Sequence, residues 1–306
     1  GLLAFLDIFF VFSAGNLGYV AKLNGVGYET LEDVFAAAQD GDTIKLLADC
    51  AGNGIKVPQG KFQPNGLTVD FNGFTYTVDG ETVGSTGTET NGFQLLKNNI
   101  ITFKNGTITS TKAKILVQNY SNLTLDSMTL TLNNPSYTSA YTLSNNNGDV
   151  VIDDTTINAN PAGGFAFDVC RYSSYPSVNV TVTGDSVING DVEVYASKGD
   201  AKDGFSLTLE SGTMTGDIVI DATAAAVMAT EETPTKAVVT KAETFTQEAP
   251  ANYEWQANGN GTSTLVEIDA NNGYSITTSK SISMNAYVDV ESYVTDTDDV
   301  TLKVTY

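Results

Sequence analysis

Six segments of this chain align without gaps: LTVDFNGF from Leu67, ITFKNGTI from Ile101, LTLDSMTL from Leu123, VVIDDTTI from Val150, VTVTGDSV from Val180 and LTLESGTM from Leu207. Their starts lie 34, 22, 27, 30 and 27 residues apart, a mean step of 28. The first and third columns are apolar in every copy, and so is the eighth, which runs Phe74, Ile108, Leu130, Ile157, Val187 and Met214. The second column is Thr except at Val151. Alternation of apolar residues with Thr is strand chemistry, one face inward and the next outward. A single short strand of this kind cannot bury its apolar side, but a stack of them at a near-constant period can, each against its neighbours. Further short strands are expected at 93–96, 115–117, 165–169 and 192–195, and no helical period interrupts the stretch. Several strands per coil point to a right-handed parallel β-helix over about residues 42–221, in an all-β chain.

Asparagines gather between the strands, at Asn98-Asn99, Asn119, Asn122, Asn145-Asn146-Asn147, Asn158 and Asn160. Asn tolerates left-handed backbone and bonds to its own turn, so these positions read as corners of the coil. Asn105, Asn119, Asn122, Asn179 and Asn260 also match the N-glycosylation acceptor pattern. Upstream, TLEDVFAAAQ from Thr30 is an amphipathic helix with Thr30 as N-cap, Asp33 in its first turn and Leu31, Val34 and Ala38 on one stripe. An open solenoid end exposes a strand edge, and a helix at that point serves as a cap.

Composition removes several function classes. The chain has 36 acidic residues against 15 basic ones, a net charge of −21, which repels a phosphate backbone and argues against nucleic acid as a partner. It contains no His, so imidazole bases and Ser/His or Cys/His nucleophiles are excluded. Arg171 is its single arginine. Its two cysteines, Cys50 and Cys170, show no metal or redox spacing, lie about four coils apart and are expected to be unpaired, small buried residues.

The apolar run from Leu2 to Phe12 precedes Ser13-Ala14-Gly15 and fits the remnant of a signal peptide, residues 1–15, which places the protein outside the cell. The run is too short to span a membrane, which takes about 20 residues. The β-helix with its cap is expected over 16–222, a linker with terminal strands over 223–262, and a partial β domain, cut off at a strand, over 263–306.

From Val20 through Tyr28-Glu29-Thr30-Leu31 to Gly41-Asp42-Thr43-Ile44-Lys45-Leu46, the chain resembles the entry module of secreted parallel β-helix proteins of pectate-lyase-like fold, abundant in Gram-positive gut bacteria. The segments Ala249-Pro250 to Val266 and Gly273-Tyr274 to Tyr287 are similar to the linker strand and small β domain that follow such helices. The resemblance implies a cell-surface protein of that architecture and carries no catalytic residue with it.

Within that frame the fourth column, Asp70, Lys104, Asp126, Asp153, Thr183 and Glu210, flanks an inward column and should face out. Asp126 and Asp153 on adjacent coils, with Asp154 beside them, form an oxygen set that could hold Ca²⁺. No other cofactor is implied. Asp168 and Arg171, three residues apart in a Tyr-rich stretch, are either a pair across a turn or, with Asp153 and Asp154, the acids and base of a polysaccharide lyase or hydrolase. Tyr137, Tyr141, Tyr172, Tyr175 and Tyr195 supply rigid amphipathic rings suited to sugar or protein contact. The expected function is therefore a non-catalytic extracellular surface protein that binds a glycan or a host-surface component. A polysaccharide-degrading enzyme is the first alternative, and a structural fibre or spike is the second.

Overall fold

A computed structural model describes residues 18–172, 175–196, 205–225, 228–230 and 238–268. The expected signal remnant, part of the linker and most of the expected C-terminal β domain lie outside the described residues. The chain is a nearly all-β parallel solenoid of about six turns.

Each coil presents three faces. The first is built from strands such as Thr43–Leu46, Leu67–Asp70, Gly148–Asp153, Val178–Thr183 and Phe205–Leu209, paired in parallel register from coil to coil. The second holds Cys50–Gly52, Thr75–Val78, Thr156–Asn158, Val187–Asn189 and Thr213–Met214. Two long strands, Ile100–Ser110 and Asn122–Leu132, run through both faces. The third face stacks Ile55–Val57, Thr88–Leu95, Ile115–Asn119, Ala140–Asn145, Gly164–Arg171, Val192–Ala196 and Ile218–Ile220 as a separate sheet.

The columns of the repeat are the core. Leu67, Ile101, Leu123, Val150, Val180 and Leu207 pair in sequence, as do Val69, Phe103, Leu125, Ile152, Val182 and Leu209, and none is more than 1% exposed. The eighth column needs correction at two places. Ile108 pairs with Tyr76 rather than Phe74, and Ile157 pairs with Ile188 rather than Val187. Both slips arise at the bend between the first and second faces, where each coil places a residue in the left-handed conformation: Asn72, Asn105, Ser127, Asp154 and Gly184, at φ of 55°, 58°, 57°, 47° and 63°, with Gly73 following Asn72 at 86°. Short polar side chains and Gly adopt that region at least cost. The bend is longer by two residues before Tyr76 and by one before Ile188, so the inward position moves while the ladder stays in step.

The other corners use buried asparagine as a backbone substitute. Asn99 Nδ2 donates to Leu96 O at 2.6 Å and Pro58 O at 3.0 Å, while its Oδ1 accepts from Phe62 N at 2.8 Å. Asn119 is fully buried, with its amide closed on Ser121 N and O, so this sequon serves a turn.

Both ends of the described solenoid are covered. Helix Leu31–Ala37 begins where Thr30 Oγ1 accepts from Asp33 N at 3.1 Å, and Leu31, Val34 and Phe35 are buried. The helix stops earlier than the sequence pattern indicates, because Ala38 is extended and Lys61 Nζ donates to the terminal carbonyls of Phe35 and Ala36 at 2.6 and 2.9 Å. The cation and the helix carbonyls satisfy one another. At the far end Val239–Ala242 stacks in parallel on the strand at Leu207. Thr262–Glu267 then pairs antiparallel with it and with Tyr253–Ala257, so a hairpin covers the last edge and crosses the expected boundary at 262.

If stacked columns carry the stability, truncation of an inward residue should cost far more than truncation of its outward neighbour. Leu125→Ala is expected to lose about 2–5 kcal/mol and Thr124→Ala less than about 1 kcal/mol, measured by denaturant unfolding.

Candidate functional site on the third face

On the third face the outward positions follow from the core positions on either side. Phe167 and Val169 are 0% exposed, so Asp168 between them points out; Val192 and Val194 place Glu193 in the same way. Gln94, Gln118, Ser144, Asp168 and Glu193 occupy one row across five coils in parallel register. Asp168 nonetheless keeps only 4% of its surface. One carboxylate oxygen accepts from Asn145 N, and the other accepts from Ser144 Oγ at 3.1 Å. Burial pushes its carboxyl up to about 8; the bonds from Asn145 and Ser144 oppose this rise, and the neighbouring Glu193 adds to it. Glu193 is raised as well, first by burial, while Tyr141 Oη donates to its Oε2 at 2.7 Å and holds the shift back.

Two aromatic groups lie beside this row. Tyr141 stacks on Phe165 from the next coil, ring centres 5.5 Å apart, and its hydroxyl extends one coil further to Glu193. Beyond the other end of these strands Tyr120, Tyr172 and Tyr175 cluster, with centres 5.0 Å apart for Tyr120 and Tyr175 and 6.2 Å for Tyr172 and Tyr175. Lys97 Nζ sits 5.7 Å from the Tyr175 ring. Tyr195 pairs in register with Cys170 and points out between two buried neighbours. Tyr120 is nearly buried at 9% exposed, whereas Tyr172 is open at 42%.

Of the five tyrosines marked in the sequence, the structure brings Tyr172 and Tyr175 into one cluster, while Tyr141 lies with Phe165 at the other end of the strands and Tyr195 points out from the neighbouring strand. Tyr137 is not with them; it packs against the core in the corner before Ala140. Asp168 and Arg171 stand on opposite sides of their strand, since Arg171 shares its register with buried Ala196, and the pairing expected of them is not formed. The Arg171 Nε and Nη1 atoms are buried with no hydrogen-bond partner among the described residues.

Asp153 and Asp154 belong to the bend between the first two faces, on a different part of the coil from Asp168. Asp126 and Asp153 do sit side by side, as the column implies. Asp126 accepts from Ser127 Oγ at 2.8 Å and Asp154 from Asp185 N at 2.7 Å, so both serve their turns. Asp153 is held above its ordinary range, chiefly by desolvation and then by Asp154 and Asp126. Among the described residues no group of three or more acidic or Cys side chains is placed to hold a metal ion. A cleft of about 410 Å³ lies between the N-terminal helix and Ile55–Val57, but its polar groups already have partners, Glu32 with Asn53 N and Lys56 with Gly84 O.

Sequence reasoning omitted Tyr120, Lys97, Phe165 and Glu193. Aligning FDV at Phe167 with VEV at Val192 would have placed Glu193 beside Asp168; Tyr120 and Lys97 follow their strands by one or two residues and carry no repeat signal. The thiol of Cys50 is half-buried and pushed up to about 11 by burial and by Asp49 and Glu32, while Cys170 is 3% exposed; the two form no disulfide. Comparison with family models, curated proteins and solved structures finds no match to this chain.

The raised Asp168 carboxyl has a direct consequence. Its folded value lies above the ordinary 3.8, so the folded chain holds an extra proton between about pH 4 and 8. Stability attributable to this group therefore falls as pH rises through that window and is level above it. Asp168→Asn should remove the dependence, with the gap between the variant and the parent widening up to about pH 8 in thermal melts.

Proposed function

We propose that this is a non-catalytic extracellular surface protein that binds glycan through the third face of the solenoid. The observation that carries the reading is the Tyr120, Tyr172 and Tyr175 cluster, seated at the ends of stiff stacked strands with one ring substantially open. Aromatic rings offer a flat apolar body to a sugar and a hydroxyl at the rim, with few torsions to immobilise. Glu193, half-buried on the same face where it accepts from Tyr141, is a further acceptor for sugar hydroxyls. A chain of net charge −21 disfavours anionic glycans, so the ligand class is a neutral polysaccharide of a cell surface.

A polysaccharide-cleaving enzyme is the second reading, favoured by one observation: Asp168 and Glu193 are adjacent in register and both are shifted upward. One protonated and one ionised carboxyl is the minimum machinery of glycoside hydrolysis. The sealed position of Asp168, with both oxygens already engaged, places it behind the surface rather than at a reacting bond.

Binding to immobilised neutral glycans, followed by calorimetry on those retained, separates the readings. Tyr172→Ala should weaken binding by about 3–10-fold, the factor an aromatic contact supplies, with no reducing ends released by the parent chain. Full affinity in Tyr172→Ala would contradict the binding face. Cleavage products lost in Glu193→Gln would establish the enzyme instead.

A further inference from the structure

The second face carries a pattern that glycan binding leaves unused. Its strands stack in register from Thr75–Val78 through the C-terminal halves of the two long strands to Thr156–Asn158 and Val187–Asn189. In each of these five rows one residue, from Tyr76 to Ile188, is fully buried, so the residues on either side of it point outward. Those ten outward positions are seven Thr, Asn158, Asn189 and Val187, all partly exposed. None is ionisable. The adjoining first face differs, with Asp70, Lys104, Asp126 and Asp153 on successive coils. A strongly acidic chain therefore keeps these five rows free of charge; the preceding row bounds them with the exposed Asp49, whose carboxylate accepts from Thr75 N at 2.7 Å.

That face is also a lattice. Rows repeat about every 4.8 Å along the solenoid axis, and the two columns stand about 6.7 Å apart, two residues of extended chain. Thr is stiff at χ1, so its methyl and hydroxyl groups are fixed relative to the backbone. Asn158 Nδ2 donates to Thr131 Oγ1 at 2.9 Å and Asn189 Nδ2 to Asn158 Oδ1 at 2.8 Å, which keeps the substituted rows aligned. Methyl groups restrict the orientation of the first water layer, and hydroxyls anchor waters at set points. A rectangular repeat of this size is close to that of the oxygen rows on a prism face of hexagonal ice. A charged side chain within the array would impose its own hydration shell on that layer, and the five rows carry none.

We propose that the second face adsorbs to ice, its threonines holding a water layer in register with the crystal. The proposal is independent of glycan binding on the third face. It is tested by thermal hysteresis and by partition of the labelled full chain into slowly growing ice. The parent should facet the crystals and enter the ice, while Thr129→Lys should lower partition about tenfold, the factor that 1.4 kcal/mol of lost adsorption gives. Thr102→Lys, on the first face, should leave it unchanged. Parent crystals that stay round and exclude the protein overturn the proposal without recourse to any variant. Equal partition of both lysine variants and the parent overturns it too, as does a dimer broken by Thr129→Lys in a parent that shows no ice partition.

Discussion

Backbone hydrogen bonds between successive coils are the interaction on which everything else in this molecule rests, because no coil has a core of its own. An inward Leu or Ile is buried only when the next coil lies on it in register, and each such burial stabilises by about 1.5–3 kcal/mol. Register and core are therefore one constraint. Slipping a strand by one residue would turn Leu125 outward and Thr124 inward along with the rest of its column. The left-handed residue at each bend keeps that from happening, since Asn105, Ser127, Asp154 and Gly184 restart the strand at the same phase on every coil. The helix at Leu31–Ala37 and the hairpin at Thr262–Glu267 protect the first and last coils, where the ladder has no further partner.

The same parity gives each face its chemistry. Once the inward residues are fixed, the outward ones become rows with one member from each coil, and a functional group forms from residues that lie far apart in sequence. Tyr120 meets Tyr172 and Tyr175 because the strands ending at Asn119 and Arg171, on different coils, stop at the same corner. Tyr141 reaches Glu193 across an intervening coil. Asp168 is the costliest member of its row, a carboxyl directed outward yet sealed from water, and it remains largely neutral at pH 7 in consequence. The row tolerates it because Asn145 N and Ser144 Oγ serve its oxygens in either state.

Much of the architecture is legible in the chain because parity and period are properties of single residues. The Leu67 and Val69 columns, the strands at 93–96 and 192–195 and the Thr30 cap all follow from apolar alternation and local turn chemistry. What escaped depends on lengths and neighbours. Tyr76 and Ile188 were displaced in the alignment because bends of unequal length leave no residue signature. Ala140–Asn145 carries a weaker strand signature because Thr142 and Asn145 stand where the next coil has Ala166 and Val169. Of the site, individual tyrosines could be named, but their grouping could not, nor could the separation of Asp168 from Arg171, since both depend on which coils stack and where each strand stops.

Distances across the stack test its construction most directly. Spin labels at Thr68→Cys paired in turn with Thr181→Cys, Thr208→Cys and Thr240→Cys, in a chain with Cys50 and Cys170 replaced by Ala, probe backbone sites that are four, five and six coils apart. Regular stacking predicts separations rising in equal steps, near 19, 24 and 29 Å at about 4.8 Å per coil. Separations that fail to increase with coil number would contradict the solenoid and every face built on it.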